Sequence, residues 1–480
     1  MEVDICVIGC GSGGLGAAIT AAKLGKTVAI IDRMPSPGGH SIFAFVSDWP
    51  AGPAETVAKE LYEEMSTNPK YKDHIRIAKR YSNEDTKHDS LGLWFDDPNG
   101  TYDQTLSKYG VSKDDQRIVV FDPSYMTQVM EDQLKKLGVH CYFNTTLLDV
   151  STTVDAKGDD ANTTINYVQG IDNQGNLIEI SAQVFIDSSA NLALGRLASC
   201  DVAIGEDSQA MYNEPNAPEE PKMILNGISY CYRVTLDGKG EDKSFCCTDF
   251  ARSGNSAFIT GIMNGDIIIN PLGNSVLDGS SYVPATEAEI ISSGEVLSKC
   301  HWSRLKPLFA TGLGFPNLHL EDYKFDSFAV LPGIRETYRL VGEYVLREQD
   351  LTSGYKEQKH DDMIALVEHP IDIHGGPYGN ENEQDGENLD FPTVKPYGVP
   401  YRCLIPKNTT NLLVACRGAS FSHIAASSCR LSRTMMGLGH AAALGASMAI
   451  ARANGNQVNV RNVNTEKLVS KMQEAYGTTW

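Results

Sequence analysis

Residues 1–32 read MEVDICVIGCGSGGLGAAITAAKLGKTVAIID, and this stretch decides how the rest of the chain is interpreted. An apolar run at 3–8, rich in β-branched residues, leads directly into a glycine-rich turn. An Ala- and Leu-rich segment at 15–24 then has the composition of a helix, and a second apolar run at 27–31 ends at Asp32. This order predicts a βαβ unit at the spacing of a dinucleotide-binding fold.

The glycine spacing has a mechanical reason in such a unit. Gly9 permits the tight turn, Gly11 lets the backbone approach a pyrophosphate, and Gly14 allows close packing of helix on strand. A helix starting near Gly13 points its free N–H groups at the phosphates. Asp32 follows the second strand, where its carboxylate hydrogen-bonds ribose hydroxyls and repels a 2′-phosphate. The motif alone leaves open whether the dinucleotide is FAD or NAD.

Charge excludes several classes of protein. The 480 residues include 61 acidic and 41 basic side chains, which gives a formal net charge of −20. Binding to nucleic acid or to an anionic membrane requires clustered Lys and Arg. We therefore expect no nucleic-acid partner and no membrane partner, and the acidity is typical of a solvated surface.

Hydropathy and cysteine usage indicate the compartment. No stretch reaches the roughly 18 uninterrupted apolar residues of a membrane span, and the first residues lack the basic region of a signal peptide. The eleven cysteines contain no CxxC and no Cys/His cluster with zinc or iron–sulfur spacing. We expect a cytoplasmic protein with reduced core thiols and no metal site.

Beyond the first unit, alternating periodicities predict a mixed α/β chain of two or three domains. The predicted elements are helices at 123–137, 434–453 and 466–475, strands at 184–186 and 411–415, a strand pair or one long strand at 139–150, a hairpin at 165–182, and a sheet from about 223 onward. Asn464 or Thr465 supplies the N-cap of the last helix. The stretch 52–115 is mixed helical and polar.

Several later segments resemble one family. They are Asp32-Arg33 with Gly38-Gly39, LPGIRET at 331–337 with GEYVL at 342–346, VPYRCLIPK at 399–407, NLLVACR at 411–417, Ser422-His423, and the run from Arg430 through MMGLG at 435–439. Together they resemble the FAD-dependent oxidoreductases of the glutathione-reductase-like superfamily, related to fumarate reductase and to FAD-containing dehydrogenases. Two departures are Ser188-Ser189-Ala190, where the family has Ala-Thr-Gly, and Cys416, where it has Gly.

The resemblance implies a fold class and a domain plan. We expect an α/β protein with a discontinuous Rossmann-like FAD-binding domain and an inserted α+β substrate domain. The FAD-binding domain would comprise 1–50, 117–205 and 396–480, and the substrate domain 206–395. Residues 51–116 would form a helical and loop insertion near the flavin.

The resemblance also implies FAD as the cofactor and a set of contacts to it. The candidate cofactor-binding residues are Gly9, Gly11, Ser12, Gly13, Gly14, Asp32, Arg33, Gly39, His40, Ser41, Leu148, Ala190, Arg417, Met435 and Met436. A helix beginning near Met435 would aim its N-terminus at the flavin edge where negative charge accumulates on reduction. Non-covalent binding is favoured, and a covalent link through His40 is the alternative.

Candidates for the chemistry lie in the loops that should face the flavin. His374 or His423 can act as a base near neutral pH, although either can equally be structural. Arg335, Arg402 and Arg430 can bind a carboxylate or hydroxyl substrate, stabilise the reduced flavin, or serve packing alone. Arg430 is the favoured one, because it precedes the flavin-edge helix by only a few residues.

These features predict an FAD-dependent oxidoreductase, a dehydrogenase or oxidase that transfers a hydride from a small organic substrate to flavin N5. Oxygen or another acceptor would reoxidise the flavin. One alternative is an FAD- and NAD(P)H-dependent monooxygenase, although no second glycine-rich unit is apparent and ATGLGF at 310–315 lacks a strand–helix context. The other is a flavin-binding electron-transfer subunit. Substrate identity and oligomeric state stay open.

Overall fold

The computed structural model describes residues 1–52, 56–81, 91–155, 162–237, 256–283, 285–310, 320–374, 383–384, 387–388 and 391–480. Most of the ATGLGF stretch at 310–315 lies outside these residues.

The helices in the described part are α1 Ser12–Lys23, α2 His40–Phe43, α3 Val57–Thr67, α4 Pro123–Lys136, α5 Ala193–Leu197, α6 Gln209–Tyr212, α7 Glu287–Ala310, α8 Glu348–Ser353, α9 His423–Ser428, α10 Ser432–Ala453 and α11 Thr465–Tyr476. The strands are β1 Glu2–Ile8, β2 Val28–Ile31, β3 Asp48–Trp49, β4 Ile75–Tyr81, β5 Leu91–Asp96, β6 Arg117–Phe121, β7 His140–Tyr142, β8 Thr145–Asp155, β9 Asn162–Asp172, β10 Leu177–Asp187, β11 Val202–Ala203, β12 Ile228–Ser229, β13 Tyr232–Thr235, β14 Ala257–Gly261, β15 Ile267–Pro271, β16 Lys324–Phe328, β17 Gly333–Ile334, β18 Arg339–Leu340, β19 Met363–Val367, β20 Glu383–Gln384, β21 Glu387–Asn388, β22 Tyr397–Pro400 and β23 Leu412–Val414.

The first large sheet is parallel through β7-β2-β1-β10-β23, with β9 and β8 continuing antiparallel from the first half of β10. Both faces of β1 are covered, because Ile5 and Val7 enter one apolar core and Cys6 and Ile8 enter another. Burial on both faces explains the continuous apolar run at 3–8. The predicted βαβ unit is confirmed, and the predicted hairpin and the strand at 184–186 share one long strand, β10.

Helix α10 packs against α1 through small residues. A Cβ on Gly439 would lie 2.0 Å from the Gly13 carbonyl oxygen, and one on Gly16 would lie 2.4 Å from the Met436 oxygen. Within the described residues α10 is the one helix long and apolar enough to cross a membrane, and 78% of its apolar window is buried in the fold. Its apolarity is therefore accounted for by its place in the core of the protein.

The second large sheet has the order β16-β13-β15-β14-β5-β4-β6-β3 and is antiparallel except for the parallel pair β5 and β14. It packs against α7 through Trp302 and Leu305. The stretch 51–116 was expected to be helix and loop, but β4 and β5 lie within it. Their pairing partners include β14, more than 160 positions away, and local periodicity carries no trace of such a partner. The domain division at 206 and 395 stays a prediction.

One cysteine departs from the expected reduced state. Eight cysteines of the described part are free thiols, whereas Cys300 is disulfide-bonded. Disulfide formation depends on the approach of two Cβ atoms in space, which the spacing of cysteines along a long chain does not reveal.

Candidate active site

A cavity of about 390 Å³ lies at the carboxyl edge of the first sheet, and we call it the sheet-edge cavity. Ligands of open α/β sheets bind at this edge, outside the ends of the parallel strands. Eleven of the candidate cofactor residues line it: Gly9, Gly11, Ser12, Gly13, Asp32, Arg33, Gly39, His40, Ala190, Arg417 and Met435.

The other four candidate cofactor residues do not line this cavity, for separate reasons. Gly14 serves packing, because a Cβ there would lie 1.8 Å from the carbonyl oxygen of Gly9. Ser41 is buried, with its hydroxyl 3.2 Å from that of Ser432, and Met436 packs against α1. Leu148 sits at an irregularity in the pairing of β8 with β9 and is 51% exposed. Its neighbours at 145–147 line the cavity instead.

The glycine turn forms an open cradle. Gly9 has φ +90°, and a Cβ there would lie 2.7 Å from the oxygen of Ser188, so the turn requires glycine. At Gly11, by contrast, a Cβ would meet only the Cα of Gly39, at 3.9 Å. Packing therefore does not explain Gly11. The bare backbone of Gly11 and Gly39 leaves space in front of the N-terminus of α1, where free N–H groups favour a pyrophosphate.

Asp32 directly follows β2 at the same cavity, and its carboxylate is held in place by hydrogen bonds. It accepts hydrogen bonds from the backbone N–H groups of Cys10 and of Met34, the latter at 2.7 Å. Burial raises the pKa of Asp32, against these hydrogen bonds, which lower it. The side chain lines the cavity, as a ribose-binding carboxylate must. Arg33 beside it pairs with Glu287 at 2.6 Å in an exposed position.

A second cavity, of about 230 Å³, lies between the first sheet's edge and the second sheet, and we call it the inner cavity. The two cavities share five lining residues: His40, Ile334, Arg417, Arg430 and Ser432. The two cavities therefore adjoin at these five residues, which we call the junction.

His374 and Arg430 are joined through one carboxylate in the inner cavity. His374 Nε2 lies 2.8 Å from Asp372 Oδ1, and Arg430 donates to Asp372 Oδ2 and, at 2.8 Å, to the carbonyl of Ser427. Burial tends to raise the pKa of Asp372, but the charges of His374 and Arg430 outweigh it and hold that pKa well below its usual range. An ionised Asp372 therefore orients both candidate residues. His369 also lies 3.5 Å from this carboxylate.

Arg335 reaches the inner cavity, whereas Arg402 does not. Arg335 donates at 2.8 Å to the carbonyl of Gly227 and at 2.8 Å to the hydroxyl of Ser229. Arg402 forms a two-pronged ion pair with Asp362, at 3.0 Å for each contact, and lines neither cavity.

His423 lies apart from His374, outside both cavities. It is 3% exposed, its Nδ1 is 2.9 Å from Glu336, and its backbone N–H donates to Asp207 at 2.8 Å. Burial lowers the pKa of His423, but the charge of Glu336 and its hydrogen bond raise that pKa by more, so the net shift is upward. Glu336 and Asp207 also bind Arg339, and the group forms a buried ion network. The structure places His374, and not His423, at the site.

Arg417 and His40 meet at the junction of the cavities. Arg417 Nη1 donates to His40 Nδ1 at 2.5 Å. Burial lowers the pKa of Arg417 to about 10, and burial together with the Arg417 charge holds the pKa of His40 well below its usual range. At neutral pH the pair is a charged guanidinium beside a neutral imidazole.

Sequence reasoning missed Asp48, which lines the inner cavity from β3. Burial raises its pKa to about 6, while a hydrogen bond with the Thr260 side chain lowers it in part. A carboxyl group in a cavity with its pKa near neutrality is suited to moving protons. No sequence motif surrounds Asp48. The strand that carries it has only two residues, which is too short for a periodic pattern to reveal it.

The glycine cradle, the fixed carboxylate and the adjoining inner cavity define a dinucleotide-dependent enzyme of the α/β class. The FAD dependent oxidoreductase family matches residues 4–472 of the chain. The chain therefore belongs to this family, and FAD is its cofactor. Gly11, Gly39, Asp32 and the start of α1 are suited to holding the ADP half of FAD.

Solved structures resemble the chain at low sequence identity. A geranylgeranyl bacteriochlorophyll reductase-like protein from Thermoplasma acidophilum has 11% identity and a TM-score of 0.45, over 98% of this chain and 83% of that one. The myxobacterial chondrochloren halogenase CndH has 11% identity and a TM-score of 0.43, over 99% and 79%. A flavoprotein/dehydrogenase from Cytophaga hutchinsonii has 12% identity and a TM-score of 0.38, over 98% and 84%. Among curated proteins, no sequence matches the chain.

Proposed function

We propose that this FAD-dependent oxidoreductase dehydrogenates a small organic substrate held in the inner cavity. The junction of the two cavities supports the proposal, because it gives a substrate-sized space direct access to the place left for the flavin. Bound FAD supplies a hydride acceptor at N5. We also propose that, within the flavoproteins, the chain is related to glutathione-reductase-like and fumarate-reductase-related enzymes.

In this proposal the chain handles one proton and orients the substrate. His374 accepts the proton at its Nδ1 atom. The carboxylate of Asp372, which lies next to the Nε2 atom of His374, stabilises the imidazolium that forms. Arg430 and Arg335 fix polar groups of the substrate, since both guanidinium groups are held by neighbouring acceptors in the cavity wall.

The experiment is an anaerobic screen of small organic compounds, scored by loss of the oxidised-flavin absorbance near ~450 nm. A compound that bleaches the flavin without NAD(P)H supports the dehydrogenase. Reduction that requires NAD(P)H indicates the monooxygenase, and reduction by neither indicates an electron-transfer subunit. We expect His374→Gln to slow reduction by about 100-fold or more, with Arg402→Gln, outside both cavities, as the matched control.

We further propose that FAD is bound non-covalently, because His40 already accepts a hydrogen bond from Arg417 at Nδ1. Acid precipitation tests this directly. A yellow supernatant supports non-covalent binding, whereas a yellow pellet that becomes colourless in His40→Ala identifies a covalent link at this residue.

A further inference from the structure

The charge on the inner cavity is opposite to that of the whole chain. Six basic side chains line it, namely Arg80, Lys108, Arg117, Arg335, Arg417 and Arg430, against the two carboxyl groups of Asp48 and Asp372. The chain overall carries 61 acidic and 41 basic residues. Four of the six basic residues line the inner cavity and not the sheet-edge cavity, so the phosphates of FAD do not account for them.

Both carboxyl groups of the cavity already have partners. Asp372 is bound by Arg430 and lies 2.8 Å from His374. Asp48 is bonded to the hydroxyl of Thr260. Neither carboxyl group is therefore arranged to hold a cationic substrate.

Arg417 and Arg430 line the junction, and Arg335 lines the inner cavity beside it. Arg417 and Arg335 both act electrostatically on His40, and Arg430 acts on Arg417. Asp97 and Asp372 offset the charges of Arg117 and Arg430, whereas Arg417 is bonded to the neutral imidazole of His40. An anion beside Arg417 and Arg335 lowers the energy of these two like charges in a partly desolvated cavity. A carboxylate also matches the planar fork of guanidinium donors.

The rest of the lining is apolar and partly aromatic. Phe45, Trp94, Ile118, Phe258 and Ile268 face the same space. A cavity of about 230 Å³ with such walls suits a compact apolar body of roughly the size of one aromatic ring.

We propose that the substrate is a small monocarboxylate with a compact apolar body, and that its carboxylate lies among Arg335, Arg417 and Arg430. This inference rests on the proposed function, because it takes the inner cavity as the place where the substrate reacts. Arg335 is the anchor to test, since it lines the inner cavity and not the sheet-edge cavity.

The test uses the FAD-loaded protein and two probes of the same shape, benzoate and the neutral benzamide, each titrated against the flavin absorbance spectrum. We expect benzoate to bind at least about tenfold more tightly than benzamide. The affinity for benzoate should fall as the sodium chloride concentration is raised. Arg335→Gln should weaken benzoate about tenfold or more and leave benzamide unchanged. Arg402→Gln should change neither.

Equal affinity for benzoate and benzamide, or unchanged benzoate affinity in Arg335→Gln, would overturn the inference. If Arg335→Gln loses FAD, Arg335→Lys replaces it, because lysine keeps the charge but lacks the planar fork of donors, and it should weaken benzoate and leave benzamide unchanged. Unchanged benzoate affinity there would overturn it as well.

The inference and the proposed function fail separately. If benzoate binds selectively but no compound reduces the flavin, the anion site is supported and the proposed dehydrogenase activity is rejected. Flavin reduction by neutral compounds only, without selective benzoate binding, keeps the dehydrogenase and removes the anion site.

Discussion

At the scale of single residues, Asp48 should make stability depend on pH. Its pKa of about 6 in the folded protein is above the usual value for aspartate. A raised carboxyl pKa contributes stability that is present below the unfolded-state pKa and is lost as pH rises through about 6. Asparagine carries no charge and keeps a hydrogen bond to Thr260. We therefore expect the advantage of Asp48→Asn over wild type to grow by roughly 2 kcal/mol between pH 4 and pH 7, measured by urea unfolding with saturating FAD.

Thr260→Val provides the companion variant for this prediction. The Thr260 hydrogen bond lowers the pKa of Asp48, so its removal should move the loss of stability to higher pH. A stability difference between Asp48→Asn and wild type that stays constant with pH would contradict the raised pKa.

Two histidines show where residue-level prediction stops. In the sequence, His374 lies in a predicted loop at the presumed domain boundary and His423 lies just ahead of the flavin-edge helix, and neither position is a physical ground for choosing between them. The choice depends on which carboxylate approaches each imidazole. Asp372 is two positions from His374, whereas Glu336, which binds His423, is 87 positions away. Only the folded chain shows that the second pair is buried away from the cavities.

At the scale of elements, the strand–turn–helix of β1 and α1 separates packing glycines from a ligand-binding one. A Cβ at Gly14 would clash with the Gly9 oxygen at 1.8 Å, but a Cβ at Gly11 has ordinary contact distances. Gly11→Ala should therefore leave the melting temperature of the apoprotein unchanged and weaken FAD about tenfold or more, roughly 1.4 kcal/mol. Gly14→Ala should lower the apoprotein melting temperature. Calorimetry of the apoproteins and flavin-fluorescence titration give the two quantities.

The two alanine variants together show whether Gly11 is required for packing or for FAD binding. If Gly11→Ala destabilises the apoprotein as much as Gly14→Ala does, the turn is tight for packing reasons alone. If Gly11→Ala changes neither stability nor FAD affinity, the pyrophosphate does not lie against this backbone.

Elements with local partners were predictable, and those with distant partners were not. The pairing of β1 with β2 across α1 spans some thirty residues, and the hairpin of β9 and β10 is joined by a short turn, so pattern and turn chemistry sufficed. The strand β5 pairs in parallel with β14, far along the chain. Its place in the second sheet depends on that pairing, and so does the position of Asp48 opposite Thr260.

At the scale of the whole molecule, the sheet-edge cavity brings together segments that are far apart in sequence. The sheet-edge cavity is lined by residues near 9–13, 32, 145–147, 188–193, 331–337 and 416–435. The family motifs near both ends of the chain fall within this set, which is why the FAD site was easier to predict than the inner cavity. The inner cavity combines some motif residues, among them Arg335, Arg417 and Arg430, with strands of the second sheet that carry no motif.

This arrangement predicts that nucleotides stabilise the fold in an order set by Asp32. A ligand that binds only the folded state adds about 2.7 kcal/mol at 100 times its Kd. FAD should raise the melting temperature of the apoprotein most, ADP less, and 2′,5′-ADP least, because the buried carboxylate of Asp32 repels a 2′-phosphate. Asp32→Asn should remove the difference between ADP and 2′,5′-ADP, because it weakens the binding of ADP and relieves the repulsion of the 2′-phosphate. Equal stabilisation of the wild type by ADP and 2′,5′-ADP would mean that Asp32 does not face the ribose, and the nucleotide would then have to lie in the opposite direction along the sheet edge.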